Sequence, residues 1–517
     1  MSRPPVGVSP QRCSARLGVS EAIVRSNRTL IAITALAAAL RFSTLGSQSF
    51  DGDELLQAWL SGLSFPDLLS TIPKTDKLPY LYHVLAWGWA QLVGNGEFAL
   101  RFPSAVAGTL TVPVAGVAGS LIASRRVGLV AALLVAVNPL MVWYSQQARA
   151  YALVGLFGAL SFLFFVQALR SPGVRALALW SLFSALAVAT QYFAGFLVAM
   201  EATWLFLTFR GGPGKEASGW VLRAAAGPVV VAAAHLPLAV AQLDAGAPGQ
   251  IEDVALPTRL AQLPKVFLVG YSAPEELVVS LVAAGLAVIA LSALGYTREQ
   301  ERKGATTTAV VVAGTIGAPV LLALVGIDYL AARYLITGLV PAAIGLACSA
   351  VVARRATLAV ALLCVLFLTV VVSVAATRRL QRTDWRGAAR ALGSVRTDRA
   401  LVVSPGTHPG AIAVYFKHAR RLPPGGQRVR EIAVLGLATE GTFTAGTPKP
   451  PRPPSPPAPP GFRLIRREES STFTLLRYRA RTPRSVNAFK LVPLTLDKGV
   501  DRGFWLQRSQ SVPGPTR

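Results

Sequence analysis

Apolar residues in this chain come in long, nearly unbroken blocks separated by short polar turns, a pattern too uniform for the one-sided stripe of a surface helix. A helix needs about 20 apolar residues to cross a bilayer. Eleven stretches approach that: 29–46, 100–122, 127–145, 150–169, 174–190, 193–209, 224–241, 277–296, 307–326, 332–352 and 356–376. The pattern therefore predicts an all-α polytopic membrane protein over 29–378, behind a basic arm at 1–28. "YLYHVLAWGWAQLVG", Tyr80 to Gly94, is short and rich in Tyr and Trp, which suits a helix lying along the interface; a twelfth span is the alternative. Beyond 379 the blocks shorten. "WRGAARAL" and "AIAVYFKH" read as helices, and "ALVVS", "EIAVLGL", "FRLIRR" and "FTLLRYRA" as strands. A small α/β domain over 379–517 is expected, with a proline-rich loop at 447–461.

Composition agrees, with 52% hydrophobic residues and a mean hydropathy of +0.49. The 51 Lys and Arg outnumber 25 Asp and Glu. In a soluble protein that excess would suggest nucleic acid, but here the basic residues sit between apolar blocks, so no nucleic-acid partner is expected. With the N-terminal arm inside, the turns at 125–126, 170–175, 210–223, 298–303 and 354–355 all fall on the cytoplasmic side, and all are basic. Residues 47–99, 144–149, the loop 242–276, Asp328 and everything after 378 then face outward. No small-residue cleavage site precedes Arg41, so the first span is read as uncleaved. Cys13, Cys348 and Cys364 imply no disulfide framework. The basic C-terminal domain is suited either to lying near anionic headgroups or simply to solubility.

Chemistry concentrates on the outer side. "SQSFDGDELLQAWLSG" packs Asp51, Asp53 and Glu54 into one loop after the first span. If a helix starts there, Asp53 is its N-cap and Glu54 lies in its first turn. Three clustered carboxylates also suit a general base or an ion ligand, because like charges raise one another's pKa. Lys77 can reach a lipid phosphate at headgroup depth. Arg149, in "VWYSQQARAYAL", and Arg333, in "DYLAARYLITGLVP", are cations at membrane boundaries that need anionic partners. The segment "GGPGKE" lacks the context of a phosphate loop, and the four histidines show no metal-ligand spacing.

"DGDELLQAW", "LPYLYHVLAWGWAQLVGNGEFALRFPSAVAGTLTVPVAG", "RRVGLVAALLVAVNPLMVWYSQQARAYAL" and "ARYLITGLVPA" together resemble, in order and spacing, the bacterial membrane glycosyltransferases of family 39, relatives of protein O-mannosyltransferases and the aminoarabinose transferase. The resemblance is strongest over 47–160. It implies a GT-C fold and transfer of a sugar, mannose in many relatives, from a polyprenyl-phosphate donor to a glycan, glycolipid or protein acceptor at the outer membrane face. It implies catalytic roles for Asp53 and Glu54, phosphate binding by Lys77, Arg149 and Arg333, and substrate contacts from Asp51, Tyr82, His83, Gln147 and Tyr192. No cofactor is implied for certain, and a divalent metal stays open. The chain departs from its relatives at three places: Leu78 where they carry a basic residue or His, Gln147 where they carry Glu, and Gln191 before Tyr192 where they carry His. Rival readings are a lipid or sugar transporter, or flippase, and a non-catalytic partner subunit; charges crowded on one face without internal repeats fit a transporter poorly.

Overall fold

The computed structural model describes residues 27–210, 215–244, 254–404, 409–416, 418–437, 456–494, 496 and 503–509. The basic arm up to residue 26 and most of the proline-rich loop lie outside them. Helices occupy all eleven predicted positions, beginning with α1 at 27–42. Among the described residues seven are long and apolar enough to cross a membrane, or eight if one bent pair is a single span. Val174–Thr190 and Ala194–Phe209, at 17 and 16 residues, fall short of that length. Eleven crossings are thus more than length alone establishes.

Between α1 and α5 (Glu97–Ile122) three short helices form a cap: α2 (Gly52–Leu60), α3 (Phe65–Thr75) and α4 (Tyr80–Val93). At 14 residues α4 rises only about 21 Å, against a hydrocarbon core of about 30 Å. Leu60, Leu68 and Ile72 join the three helices with Tyr80 and Trp87 packed against them. The expected loop at 242–276 contains a helix, Leu256–Val269, started by proline in its first turn and tied to the turn at 328 by an Arg259–Asp328 ion pair.

The membrane helices pack through small residues, as expected where lipid removes the hydrophobic drive for helices to associate. A Cβ on Gly119 would stand 3.0 Å from the Gly128 Cα, and one on Gly128 would strike the Gly116 carbonyl at 2.2 Å. Two helices, Arg125–Val137 and Pro139–Ser145, meet at a 58° bend. Pro139 has no N–H for the Val135 carbonyl. Arg41 from α1 replaces it, donating to Val135 O at 3.2 Å and Ala136 O at 2.9 Å.

The C-terminal domain has a six-stranded sheet of β1 (Arg399–Ser404), β2 (Ala419–Arg421), β3 (Gln427–Leu437), β4 (Phe462–Glu469), β5 (Phe473–Val486) and β6 (Gly503–Gln507). Its order is β2-β6-β1-β3-β5-β4, with β1 and β3 parallel. Strands β2 and β6 are additions to the sequence reading. One face of the sheet shares a hydrophobic core with the cap: Trp385, Leu401, Ala411 and Trp505 pack in the same cluster as Phe50, Leu55 and Ala148.

Candidate active site

The opening acidic stretch separates into an inward half and an outward half. Asp51, not Asp53, is the N-cap of α2: its Oδ1 accepts from Glu54 N at 2.8 Å, and Glu54 Oε2 accepts from Asp51 N at 3.0 Å. This reciprocal capping box needs a side-chain acceptor three residues before a Glu, and Asp51-Gly-Asp-Glu54 has that spacing. Helix geometry then turns Asp53 away from both.

Glu54 is sealed in. Its Oε1 accepts from Arg101 Nε and Ala148 N, both at 2.7 Å, and its Oε2 accepts from Arg101 Nη2 at 2.6 Å. Burial would raise its pKa, but Arg101 and then Arg382 hold it below the ordinary value. Asp51 is equally buried. It accepts from Gln147 Nε2 and, at 3.2 Å, from Arg382 Nε. Burial, then Glu54, push its pKa up to about 6 against the pull of Arg382.

Asp53 stays open, with 38% of its side chain exposed, and its Oδ2 lies 4.0 Å from both Arg149 Nε and Arg333 Nη1. Chain positions almost 100 and 280 apart thereby converge on one carboxylate. Arg149 is aimed by Asp76, which takes Nη1 and, at 3.2 Å, Nη2. Its buried Nε has no hydrogen-bond partner among the described residues. Arg149 lies outside the helices flanking it, and Asp76 holds its pKa well above the ordinary value despite burial. Asp76 is held down at about 2, burial being outweighed by Arg149 and His83. Arg333 lies over the Tyr334 ring at 5.3 Å. Close by, Tyr144 bonds Tyr271 through their hydroxyls at 2.7 Å and packs on Tyr151 at 4.5 Å between ring centroids. Cations and aromatic rings thus surround one exposed carboxylate, an arrangement that offers a proton acceptor beside a cradle for an anion.

The remaining expected site residues are placed differently. His83 is fully buried behind Asp76, 3.6 Å from its Oδ2, and its Nδ1 donates to Gln57 Oε1 at 2.7 Å. Tyr82 is buried against Leu78 and Ala150. Lys77 donates to the Gln242 carbonyl, and Tyr192 donates to Gln242 Oε1 at 2.9 Å, so these two meet at Gln242 and not beside Arg149. Gln147 bonds Asp51 while its buried Oε1 has no partner among the described residues. The sequence reading did not single out Asp76, Arg101, Arg382 or Tyr271. A charge inside an apolar block signals Arg101; the others are joined to their partners only by the fold. The residues do not fit a divalent metal: Asp51 and Glu54 face inward, Asp53 faces two guanidiniums, and among the described residues no three His, Cys, Asp or Glu side chains converge.

A family model described as dolichyl-phosphate-mannose-protein mannosyltransferase matches residues 77–237, which bears out the resemblance read from the sequence. No curated protein matches the chain. Among solved structures, ArnT from Cupriavidus metallidurans bound to undecaprenyl phosphate is similar at 12% identity, covering 86% of this chain and 97% of that one, with a TM-score of 0.49. Its apo form is similar at 14% identity over 62% of this chain, with a TM-score of 0.44, and this chain spans 59% of that one. The arabinofuranosyltransferase AftD from Mycobacteria is similar at 17% identity, covering 88% of this chain and 40% of that one, with a TM-score of 0.47.

Proposed function

We propose that the chain is a GT-C glycosyltransferase that moves a hexose, mannose in the first instance, from a polyprenyl-phosphate donor to an acceptor hydroxyl at the outer face of the membrane. One observation carries this reading: a solvent-open carboxylate, Asp53, flanked at 4.0 Å by two guanidiniums from distant parts of the chain. The family match over residues 77–237 supports a lipid-linked sugar donor. In this mechanism Asp53 Oδ2 takes the proton of the acceptor hydroxyl as its oxygen attacks the anomeric carbon. The bond from that carbon to the phosphate oxygen breaks, and the phosphate leaves with the electron pair. Arg149, through its unpartnered Nε, and Arg333 hold the departing charge. Attack opposite the phosphate inverts the anomeric centre.

Asp76 and His83 keep Arg149 in place, and Glu54 with Arg101 fixes the helix that presents Asp53. Gln147 offers its Oε1 to a sugar hydroxyl. The acceptor, whether glycan, glycolipid or protein, is left to experiment. The test is transfer of labelled sugar from polyprenyl phosphate by membranes containing the chain or its Asp53→Asn variant. Loss of transfer with unchanged abundance supports the reading; retained transfer removes Asp53 from the mechanism.

A further inference from the structure

A second cavity lies apart from Asp53, where the last membrane helix, Arg354–Ala376, hands over to the C-terminal domain. It holds about 420 Å³ of free space, counting its open mouth. Four arginines line it at intervals of four residues: Arg378, Arg382, Arg386 and Arg390. The segment from 378 to 390 thus brings four arginines to the wall of one space. Ser47, Gln48 and Ser49 form the facing wall.

The charges do not balance. Arg382, itself buried, is taken by Asp51 at 3.2 Å, and Arg386 by Glu97 at 2.6 Å. Asp384 is the sole acid in the lining. Its oxygens already accept from Gly387 N at 2.8 Å and from the Thr472 hydroxyl at 3.2 Å. Arg378 and Arg390 have no carboxylate partner among the described residues, and both are exposed. Arg378 also follows the end of the apolar helix by two residues, which sets the cavity at the depth of lipid headgroups. The lining is concave, and beside the guanidiniums it holds the Ser49 hydroxyl, which accepts from Arg386 N at 3.0 Å and keeps its own hydrogen to donate, and the Gln48 side chain.

We infer that this cavity is a binding site for a phosphate-bearing anion, the headgroup of an anionic phospholipid or a free phosphate group. Arg378 and Arg390 supply the open guanidiniums, while Arg382 and Arg386 fix the inner wall.

The experiment uses the full chain in nanodiscs of phosphatidylcholine, with or without phosphatidylglycerol. Native mass spectrometry counts the phosphatidylglycerol retained on release, and calorimetry with inorganic phosphate is run in the phosphatidylcholine discs. With each outer arginine contributing roughly a fivefold factor, Arg378→Gln with Arg390→Gln should weaken binding about 25-fold. Arg378→Gln alone, expected to weaken it about fivefold, serves if the pair fails to fold. The control is Arg463→Gln with Arg481→Gln, the same change of charge on exposed strand positions. Phosphatidylglycerol retention lost only in the cavity variants identifies a lipid headgroup. Phosphate binding lost only in those variants, without lipid preference, identifies a free phosphate group. The inference is overturned if the unsubstituted chain binds neither, if the folded cavity variants bind as before, or if the control loses as much.

Discussion

Asp53 and Glu54 are neighbours in the chain, yet the fold treats them in opposite ways. Glu54 is fully buried and holds Arg101 through two hydrogen bonds. Asp53 stands 4.0 Å from each of its two cations among the described residues and keeps more than a third of its side chain in the open. A buried carboxylate saturated by donors has little freedom to accept a further proton or ligand; an open one has both. The contrast assigns stability to one acid and chemistry to the other, and substitutions can break that division.

The largest effect is expected at Asp53. Asp53→Asn should reduce sugar transfer by about 10²- to 10⁴-fold, the usual worth of a general base, with thermal stability in detergent unchanged. Glu54→Gln should do the reverse. It leaves Arg101 buried against a neutral group, a loss of about 3–5 kcal/mol, visible as a fall in melting temperature and abundance. Transfer per folded molecule should survive better than in the Asp53 variant. Equal loss of transfer per folded molecule in both would abolish the distinction.

Gln147→Glu sharpens the comparison by adding an acid to the inward half. It would set a second carboxylate on Asp51, replacing a hydrogen bond by repulsion. The expected cost is about 1–3 kcal/mol, largest at neutral pH and relieved as Asp51 protonates below about pH 6.

The smallest effect is a pair of opposing slopes. His83 is held down at about 4, by burial first and also by Arg149, although Asp76 pulls the other way. Its neutral form therefore stabilises the fold fully above its ordinary 6.5, and that contribution drains away as pH falls through about 4. Asp51, raised to about 6, stabilises as its protonated form below its ordinary value, and this is lost as pH rises through about 6. Between pH 4 and 6 the two partly cancel. Asp51→Asn should leave the His83 loss uncovered, so that stability falls more steeply on acidification. His83→Gln should flatten or invert the slope. The two variants should show slopes of opposite sign over that range, read from melting curves; coincident curves would contradict the assignment.

Much of this was legible in the sequence, and the limits have physical causes. Apolar blocks locate helices because lipid demands them, and short apolar runs located four strands of the sheet. Arg149 and Arg333 stood out because each is a charge without a local reason, and Asp53 because it is one of three acids crowded into one short stretch. The identity of the cap on α2 was also written locally, in the spacing of Asp51 and Glu54, and a glycine at the first helical position obscured it. Asp76, by contrast, reads as an ordinary loop acid until the fold sets it against Arg149, 73 residues later. Arg382 lies 331 residues from Asp51. No periodicity encodes such pairings, since they depend on how helices meet. Strands β2 and β6, of three and five residues, were too short to announce themselves.

One consequence follows from how the sheet leans on the cap. Strand β6 lies between β1 and β2, and the face to which it contributes Trp505 also packs Phe50 and Leu55. The support beneath Asp53 is therefore incomplete until residue 507 has left the ribosome, reached its side of the membrane and paired. A chain made only as far as Arg333 already carries every residue of the proposed chemistry but not the arrangement that makes it competent, so the order of synthesis itself delays activity until the polypeptide is finished through β6.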